Sequence, residues 1–150
     1  MIGFDRIRTW LGLGVRSARG TEPDPDDPDL AVVVSAFDEA EAASAALARS
    51  PAWREQLPAV LRHHLLLPDG AVSGAAELLE QDSWRLRAAG DAAPAEFGAT
   101  PADGEVALFA ERVQKLDALH CSQESSRMAG LAQRCGGRAV GWVALQRPPA

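Results

Sequence analysis

Apolar residues recur along the chain from Leu30 with two periods, and these periods predict alternating strands and helices. The run "LAVVVSAF" has the length and β-branched content of a strand. The alanine-rich segment from Asp38 begins with carboxylates, which are typical of a helix N-terminus. Ser50 and Pro51 form a cap and first-turn pair, so "PAWREQL" is predicted to be a second short helix.

The next apolar run, "AVLRHHLLL", ends at the turn residues Pro68 to Gly70 and predicts a buried strand. "AVSGAAELLEQ" places its apolar residues on one helical face, and "SWRLRA" alternates apolar and basic residues. These two segments predict a helix followed by a half-exposed strand. The stretch "GDAAPAEFGATPADG" is rich in glycine and proline and predicts a long loop, the interior segment in which we most expect disorder.

Residues 105–116, "EVALFAERVQKL", fit both periods, and periodicity alone does not decide between helix and strand. From Leu119 a helical face is clearer, and Gly136 stands where a left-handed C-terminal cap belongs. "RAVGWVAL" then predicts a closing strand. The whole pattern predicts strands and helices in a single domain over residues 30–150, preceded by a separate segment, residues 1–29.

Residues 1–29 divide into an arginine-rich amphipathic stretch and an acidic one. The first has apolar residues at helical spacing, and it is either a helix that docks on a membrane surface or partner or a short helix that folds onto its own domain or frays. The second, "TEPDPDDPD", contains prolines and like charges, and it predicts an extended acidic linker. We expect residues 1–29 to be flexible.

The composition limits the possible partners. The chain has 15 basic and 21 acidic residues and a net charge of -6, which disfavours direct binding to RNA or DNA. No run approaches the roughly 18 apolar residues of a membrane span. The two cysteines and the lack of a signal-peptide pattern predict a reduced, cytoplasmic protein.

Candidate catalytic and metal-binding residues do not assemble into a site at this stage. His63 and His64 are neighbours on a predicted strand, so they point to opposite faces, one inside and one outside, and cannot chelate one ion. His120 and Cys121 could form an activated thiolate, but no third orienting group is evident. Cys121 and Cys135 would lie about 21 Å apart along a helix, too far for a bridge. We therefore predict no catalytic residue, no metal and no cofactor, and a small enzyme that uses the His120–Cys121 region is kept as an alternative.

The closing segment offers a candidate for partner binding. Gly136 and Gly137 turn the predicted helix into the last strand, and Trp142 is expected to pack in the core. Gly141 has no side chain, so another backbone or a partner can approach beside Trp142. An exposed Trp142 would make this segment a binding edge.

The motifs "RHHLLLPD", "LAQRCGG" and "GGRAVGW" resemble those of a known family, and the last of them carries Gly136, Gly137, Gly141 and Trp142. The family is the regulator of ribonuclease E activity B, whose members are ribonuclease E inhibitor proteins. The resemblance implies an α+β class protein, a ferredoxin-like βαββαβ sandwich over about residues 60–146, with a strand-helix extension before it. It also implies that residues 105–116 form a strand and that the helices of 71–81 and 119–135 share one face of the sheet.

The same resemblance implies a non-enzymatic regulatory protein of RNA metabolism that binds a ribonuclease E/G-type enzyme. Gly136, Gly137, Gly141 and Trp142 are then the candidate contact residues. The acidic linker would steer the chain towards a basic nuclease surface. Its carboxylates are Glu22, Asp24, Asp26, Asp27 and Asp29. The alternative function is an interaction domain of another pathway that keeps only the fold.

Overall fold

The computed structural model describes residues 22–149, so the amphipathic helix predicted in the opening residues lies outside the described part. Five strands form its sheet: β1 (Ala31–Ala36), β2 (Ala59–Pro68), β3 (Arg85–Ala88), β4 (Glu105–Gln114) and β5 (Arg138–Gln146). The α-helices within these residues are α1 (Ala43–Ala48), α2 (Val72–Glu80), α3 (Pro94–Phe97) and α4 (Ala118–Arg134). A 3-10 turn at Asp69–Ala71 joins β2 to α2. The predicted α+β class is confirmed.

The five strands form one antiparallel sheet in the order β1-β5-β2-β4-β3. β2 pairs with β4 without interruption from Ala59 opposite Gln114 to Pro68 opposite Glu105. The periodicity of residues 105–116 did not decide between a helix and a strand. In the structure, residues 105–114 form a strand. β1 extends the sheet beyond β5, at the edge away from β3.

The main core lies between the sheet and three helices. Alternate residues of β2, such as Leu61, His63 and Leu65, face this side, because successive side chains of a strand point to opposite faces. α1, α2 and α4 cover them with buried side chains. These are Ala46, Leu47, Ala75, Leu79, Cys121, Met128, Leu131 and Ala132. The helices predicted over residues 71–81 and 119–135 therefore lie on the same face of the sheet.

The predicted helix "PAWREQL" does not form, and residues 51–57 make turns instead. The buried side chain of Gln146 accepts a hydrogen bond from the Arg54 backbone N–H at 3.0 Å and donates to the carbonyls of Arg54 and Leu57, each at 3.1 Å. These bonds hold residues 54–57 in turns against the end of β5. The earlier helix also begins later than predicted, at Ala43, because Asp38 Oδ1 accepts from the backbone of Ala40 in a turn.

The glycine-rich loop between β3 and β4 is packed, which corrects the expectation of disorder. It carries α3, and Phe97 at the end of this helix is buried against Leu66 and Phe109 on the sheet face opposite the other helices. Pro94 at the first helical position favours the helix start. One aromatic side chain therefore fixes a segment whose composition otherwise favours mobility.

Candidate functional site

A cleft of 410 Å³ opens beside the closing strand. It lies between the segment that follows β1, one side of α4 and the start of β5. Its lining comes from residues 36–43, from Ser122, Ser125, Ser126 and Ala129 of α4, from residues 139–142, and from His63 of β2. Residues 36–43, His63 and the consecutive elements α4 and β5 therefore form one concave surface.

The wall on α4 follows from helical spacing. Ser122, Ser125, Ser126 and Ala129 stand at i, i+3, i+4 and i+7, so they share one side of the helix, while Met128 belongs to the side that packs on the core. The helix begins after Asp117, whose side chain accepts a hydrogen bond from the backbone N–H of His120 at 2.8 Å. The wall is therefore a row of small side chains, three serines and one alanine, on a capped helix.

Of the four closing residues that the sequence singled out, the structure brings two into the cleft. Gly141 lets β1 approach, because a Cβ there would collide with the Phe37 ring and the Ala36 carbonyl. Trp142 is buried, as expected for core packing, and it also lines the cleft.

Gly136 and Gly137 lie outside the cleft lining and shape the turn from α4 into β5. Gly136 has a φ of +84°, which confirms the predicted left-handed cap. At Gly137 an added Cβ would collide with the Leu66 carbonyl of β2. The two glycines therefore have a structural reason to be there that needs no partner.

His63 on β2 contributes a buried polar group to the cleft. It is 2% exposed, and its ring packs on Trp84 and Trp142 with centroids 5.4 and 6.4 Å away. Its Nε2 makes no hydrogen bond to any described residue. Burial lowers the pKa of His63 to about 3, and the positive charges of His64 and Arg112 act in the same direction. The ring is therefore neutral at pH 7, with one N–H donor and one acceptor nitrogen.

The rim of the cleft is acidic. Asp38, Glu39 and Glu41 belong to its lining, and no lysine or arginine of the described residues does. Glu41 is paired with Arg49 at 2.6 Å, and the hydrogen bond from Arg49 lowers the pKa of Glu41. Asp38 and Glu39 are exposed and make no salt bridge within residues 22–149. The local potential therefore favours a cationic ligand group.

His64 points away from this cleft, as the alternation of the strand predicts, but it is not outside. Its ring packs among Phe37, Phe97 and Phe109 on the other face, and it is 3% exposed. Its Nδ1 lies 2.8 Å from the Phe97 carbonyl. Burial lowers the pKa of His64, and the bond to Phe97 partly opposes this. The expectation of one outside histidine is wrong because the β3–β4 loop covers this face.

The His120–Cys121 pair gains an orienting group that sequence reasoning missed. Asp117 Oδ2 lies 2.6 Å from His120 Nδ1, and both side chains are more than half exposed. The sequence signal for this contact was an Asp three residues before a His at the start of a helix. Cys121, however, is buried, and burial raises the pKa of its thiol to about 12, with Glu124 and Asp117 adding to the effect. The thiol stays protonated at neutral pH, so it is not an activated thiolate.

The acidic linker is only partly free. Asp26 lies 3.0 Å from Arg85, and Asp27 lies 2.7 Å from Arg147. Pro23 is buried, and Leu30 packs on a cluster of Val60, Val143 and Leu145. Within residues 22–29 the linker therefore makes contacts with the folded domain. Glu22, Asp24 and Asp29 remain exposed, and they are the carboxylates still available for steering.

Sequence reasoning also missed a charged cluster on the face opposite the main core. Glu111 of β4 is 2% exposed and accepts hydrogen bonds from Arg62, Arg85 and Arg87. Burial alone would raise the pKa of Glu111, but the bonds and charges of the three arginines lower it. The alternation in "SWRLRA" placed two of these arginines on one face, but nothing in that run identified their partner.

Two further searches concern the described residues only. No group of three or more His, Cys, Asp or Glu side chains in this part is arranged to hold a metal ion. None of its helices is long and apolar enough to cross a membrane. Cys121 and Cys135 are both free.

Comparison of the chain with family models, with curated proteins and with solved structures gave no match.

Proposed function

We propose that the chain is a non-enzymatic regulatory protein that acts in the cytoplasm by binding a protein partner, a ribonuclease E/G-type enzyme. The choice of partner rests on the resemblance of the closing segment to ribonuclease E inhibitor proteins. The binding role rests on one structural observation. A cleft beside that segment is bounded by three carboxylates, and no lysine or arginine of the described residues lines it.

The chemistry of the cleft fits a basic segment of the partner. An enzyme that binds RNA carries lysine and arginine side chains on its RNA-binding surface. Such a side chain would face Asp38 and Glu39, while the hydroxyls of Ser122 and Ser126 on α4 offer hydrogen bonds. Charge complementarity of this kind raises the association rate and the specificity more than the affinity. The chain would then slow cleavage by occupying the enzyme and not the RNA.

We also propose that residues 59–146 are a ferredoxin-like unit to which β1 is added. The order of elements is βαββαβ apart from the short α3, and the strand order β5-β2-β4-β3 supports the assignment. Backbone NOEs between β2 and both β4 and β5 would test it. Contacts between β2 and β3 in their place would refute it.

The binding proposal is tested with the full chain and a purified ribonuclease E-type enzyme on a biosensor surface. Ala129→Arg places a cation and a long side chain in the cleft from an exposed position of α4. We expect it to weaken binding at least about tenfold. Gln123→Arg is the matched control, because Gln123 is exposed on the same helix but does not line the cleft. It should stay within about twofold of the wild-type affinity.

Circular dichroism of both variants shows whether they remain folded. Equal weakening by the two substitutions would place the contact elsewhere. Binding of the chain to RNA, with no binding to the enzyme, would refute the proposed function altogether.

A small cationic ligand is a second candidate, favoured by two observations. The volume of 410 Å³ lies in the range of small-molecule sites. The Nε2 of buried His63 has no partner among residues 22–149, and it is a polar group of the kind that usually finds one. A thermal-shift screen of amines would support this function if one amine stabilises the wild type and not Ala129→Arg. A screen without any such amine would leave the protein partner as the sole candidate.

A further inference from the structure

The face of the sheet opposite the main core carries three arginines around one buried glutamate. Their arrangement follows from strand register, since Arg62 of β2 and Arg85 of β3 both lie directly across from Glu111 of β4. Arg87 lies across from Phe109, one pleat along the same face. The three guanidinium groups therefore meet at one place on three adjacent strands.

The cluster carries more positive charge and more hydrogen-bond donors than Glu111 can use. Glu111 accepts from Arg62 Nε at 2.5 Å, from Arg85 at 2.9 Å, and twice from Arg87 at 2.8 and 2.9 Å. A carboxylate has about four acceptor positions, and each guanidinium has about five N–H groups. Glu111 is therefore saturated, and donors on all three arginines are left for a further acceptor.

The arginines are held in place before any ligand arrives. The guanidinium carbons of Arg62 and Arg87 stand 4.8 and 5.1 Å from the ring centre of Phe109, which supports them from below. The Arg62 side chain is largely covered, whereas those of Arg85 and Arg87 are 46% and 35% exposed. Fixed guanidiniums that reach the surface lose little freedom on binding a carboxylate.

The chain itself supplies one further acceptor. Asp26 in the acidic segment accepts from Arg85 at 3.0 and 3.4 Å, and both side chains of this pair are substantially exposed. Exposed pairs of this kind are weak. The segment is retained by its neighbours instead, through buried Pro23, half-buried Leu30 and the ion pair of Asp27 with Arg147. The contact of Asp26 is thus intramolecular and replaceable.

We propose that Arg62, Arg85 and Arg87 form a binding site for an acidic peptide, and that the chain's own Asp26 occupies this site as an internal competitor. The occupant seen here, an aspartate in the turn from Asp24 to Asp27, indicates the chemistry of the ligand. A carboxylate-bearing peptide of a partner takes its place when the segment is released. An acidic peptide is favoured over a nucleic acid, because the group seen on Arg85 is a carboxylate of the chain itself. The site is separate from the cleft and does not depend on the function proposed above.

The test uses the full chain and a fluorescent peptide with the sequence of residues 22–29, EPDPDDPD, followed by fluorescence polarisation at low ionic strength. Asp26→Asn weakens the internal competitor, so this variant should bind the peptide at least about threefold more tightly than the wild type. Asp82→Asn is the matched control, because Asp82 pairs with an arginine on another part of the surface. It should bind as the wild type does.

A second substitution identifies the site. Arg85→Gln, added to Asp26→Asn, should abolish the gain, and Glu111 keeps Arg62 and Arg87 as partners in this variant. Arg138→Gln in the same background removes one exposed arginine that pairs with Glu105 and not with Glu111, and it should have no effect. Equal binding by wild type and Asp26→Asn would overturn the proposal. So would binding unchanged by Arg85→Gln, equal binding of the peptide with its aspartates replaced by asparagines, or tighter binding of a single-stranded oligonucleotide of equal charge.

Discussion

Acidification should destabilise the protein through His63, which lies buried between the cleft and two tryptophans. Its pKa in the folded chain is about 3, against 6.5 for an unperturbed histidine. Above pH 6.5 the ring is neutral in both the folded and the unfolded chain, so it adds no pH dependence. Below pH 6.5 the unfolded chain binds a proton that the folded chain does not bind until about pH 3. The free energy of unfolding therefore falls as the pH falls through this window.

The expected size follows from the difference between the two pKa values. Each pH unit below the unfolded pKa costs about 1.4 kcal/mol. At pH 4.5, about two units below it, the loss is roughly 3 kcal/mol, a large part of the 5–15 kcal/mol that is typical of a domain. His63→Leu removes this titration and also removes the buried Nε2, which has no partner in the described part of the chain.

Urea unfolding at pH 7.5 and pH 4.5 measures the effect. The stability of His63→Leu relative to the wild type should rise by roughly 3 kcal/mol between the two pH values. Leu65→Val is the control, because Leu65 is buried on the same face of β2 and does not titrate, so its loss of stability should be the same at both pH values. Identical pH dependence of wild type and His63→Leu would refute the reasoning, as would an NMR titration of the His63 ring with a midpoint above pH 5.

Three further predictions concern stability and reactivity. Glu111→Gln leaves Arg62, Arg85 and Arg87 without their shared carboxylate, so it should lower the free energy of unfolding, measured in urea, by about 3 kcal/mol. Glu105→Gln is the control and should change this free energy little, because the ion pair of Glu105 with Arg138 is 3.8 Å long. Equal effects of the two substitutions would contradict the account. Gly137→Ala should destabilise the chain by several kcal/mol because of the collision with the Leu66 carbonyl, while Gly130→Ala in α4 should be neutral or stabilising by up to about 1 kcal/mol, and thermal unfolding distinguishes the two. Cys121, buried and with a pKa of about 12, should react with iodoacetamide at pH 8 far more slowly than half-buried Cys135, and rapid labelling of both in the folded chain would be inconsistent with the structure.

Sequence periodicity predicted the elements whose structure depends on nearby residues. β2 and β5 are apolar runs of strand length, and the helix before Gly136 ends where a left-handed residue is needed. The divergence of His63 and His64 also followed from strand geometry alone. Such features require no knowledge of the rest of the chain.

The errors arose where a distant residue decides the local structure. Residues 51–57 looked helical, but the side chain of Gln146, 92 positions after Arg54, takes their backbone hydrogen bonds. The composition of the loop around Phe97 favoured disorder, but the Phe97 ring packs against His64 and Phe109, which are distant in sequence. The ion pair of Asp26 joins positions 59 residues apart. None of these pairings leaves a local signal.

The candidate site likewise combines residues that the sequence identified with residues that only tertiary contacts bring together. Sequence analysis selected Gly141 and Trp142 but gave no reason to join them to the serines of α4 or to the acidic segment after β1. Tertiary contacts bring the three together, since Gly141 admits the end of β1 and α4 packs beside β5. The charge of the cleft could therefore be recognised only from the structure.

Photo-crosslinking from the cleft tests the central claim most directly. A benzophenone side chain replaces Ser126, which is exposed in the cleft, or Gln123, which is exposed on α4 outside it, and the full chain is irradiated with a ribonuclease E-type enzyme. The account predicts a crosslink from position 126, to a basic segment of the enzyme, and little from position 123. Equal crosslinking from both positions, or none from position 126 under conditions where the two proteins bind, would contradict it.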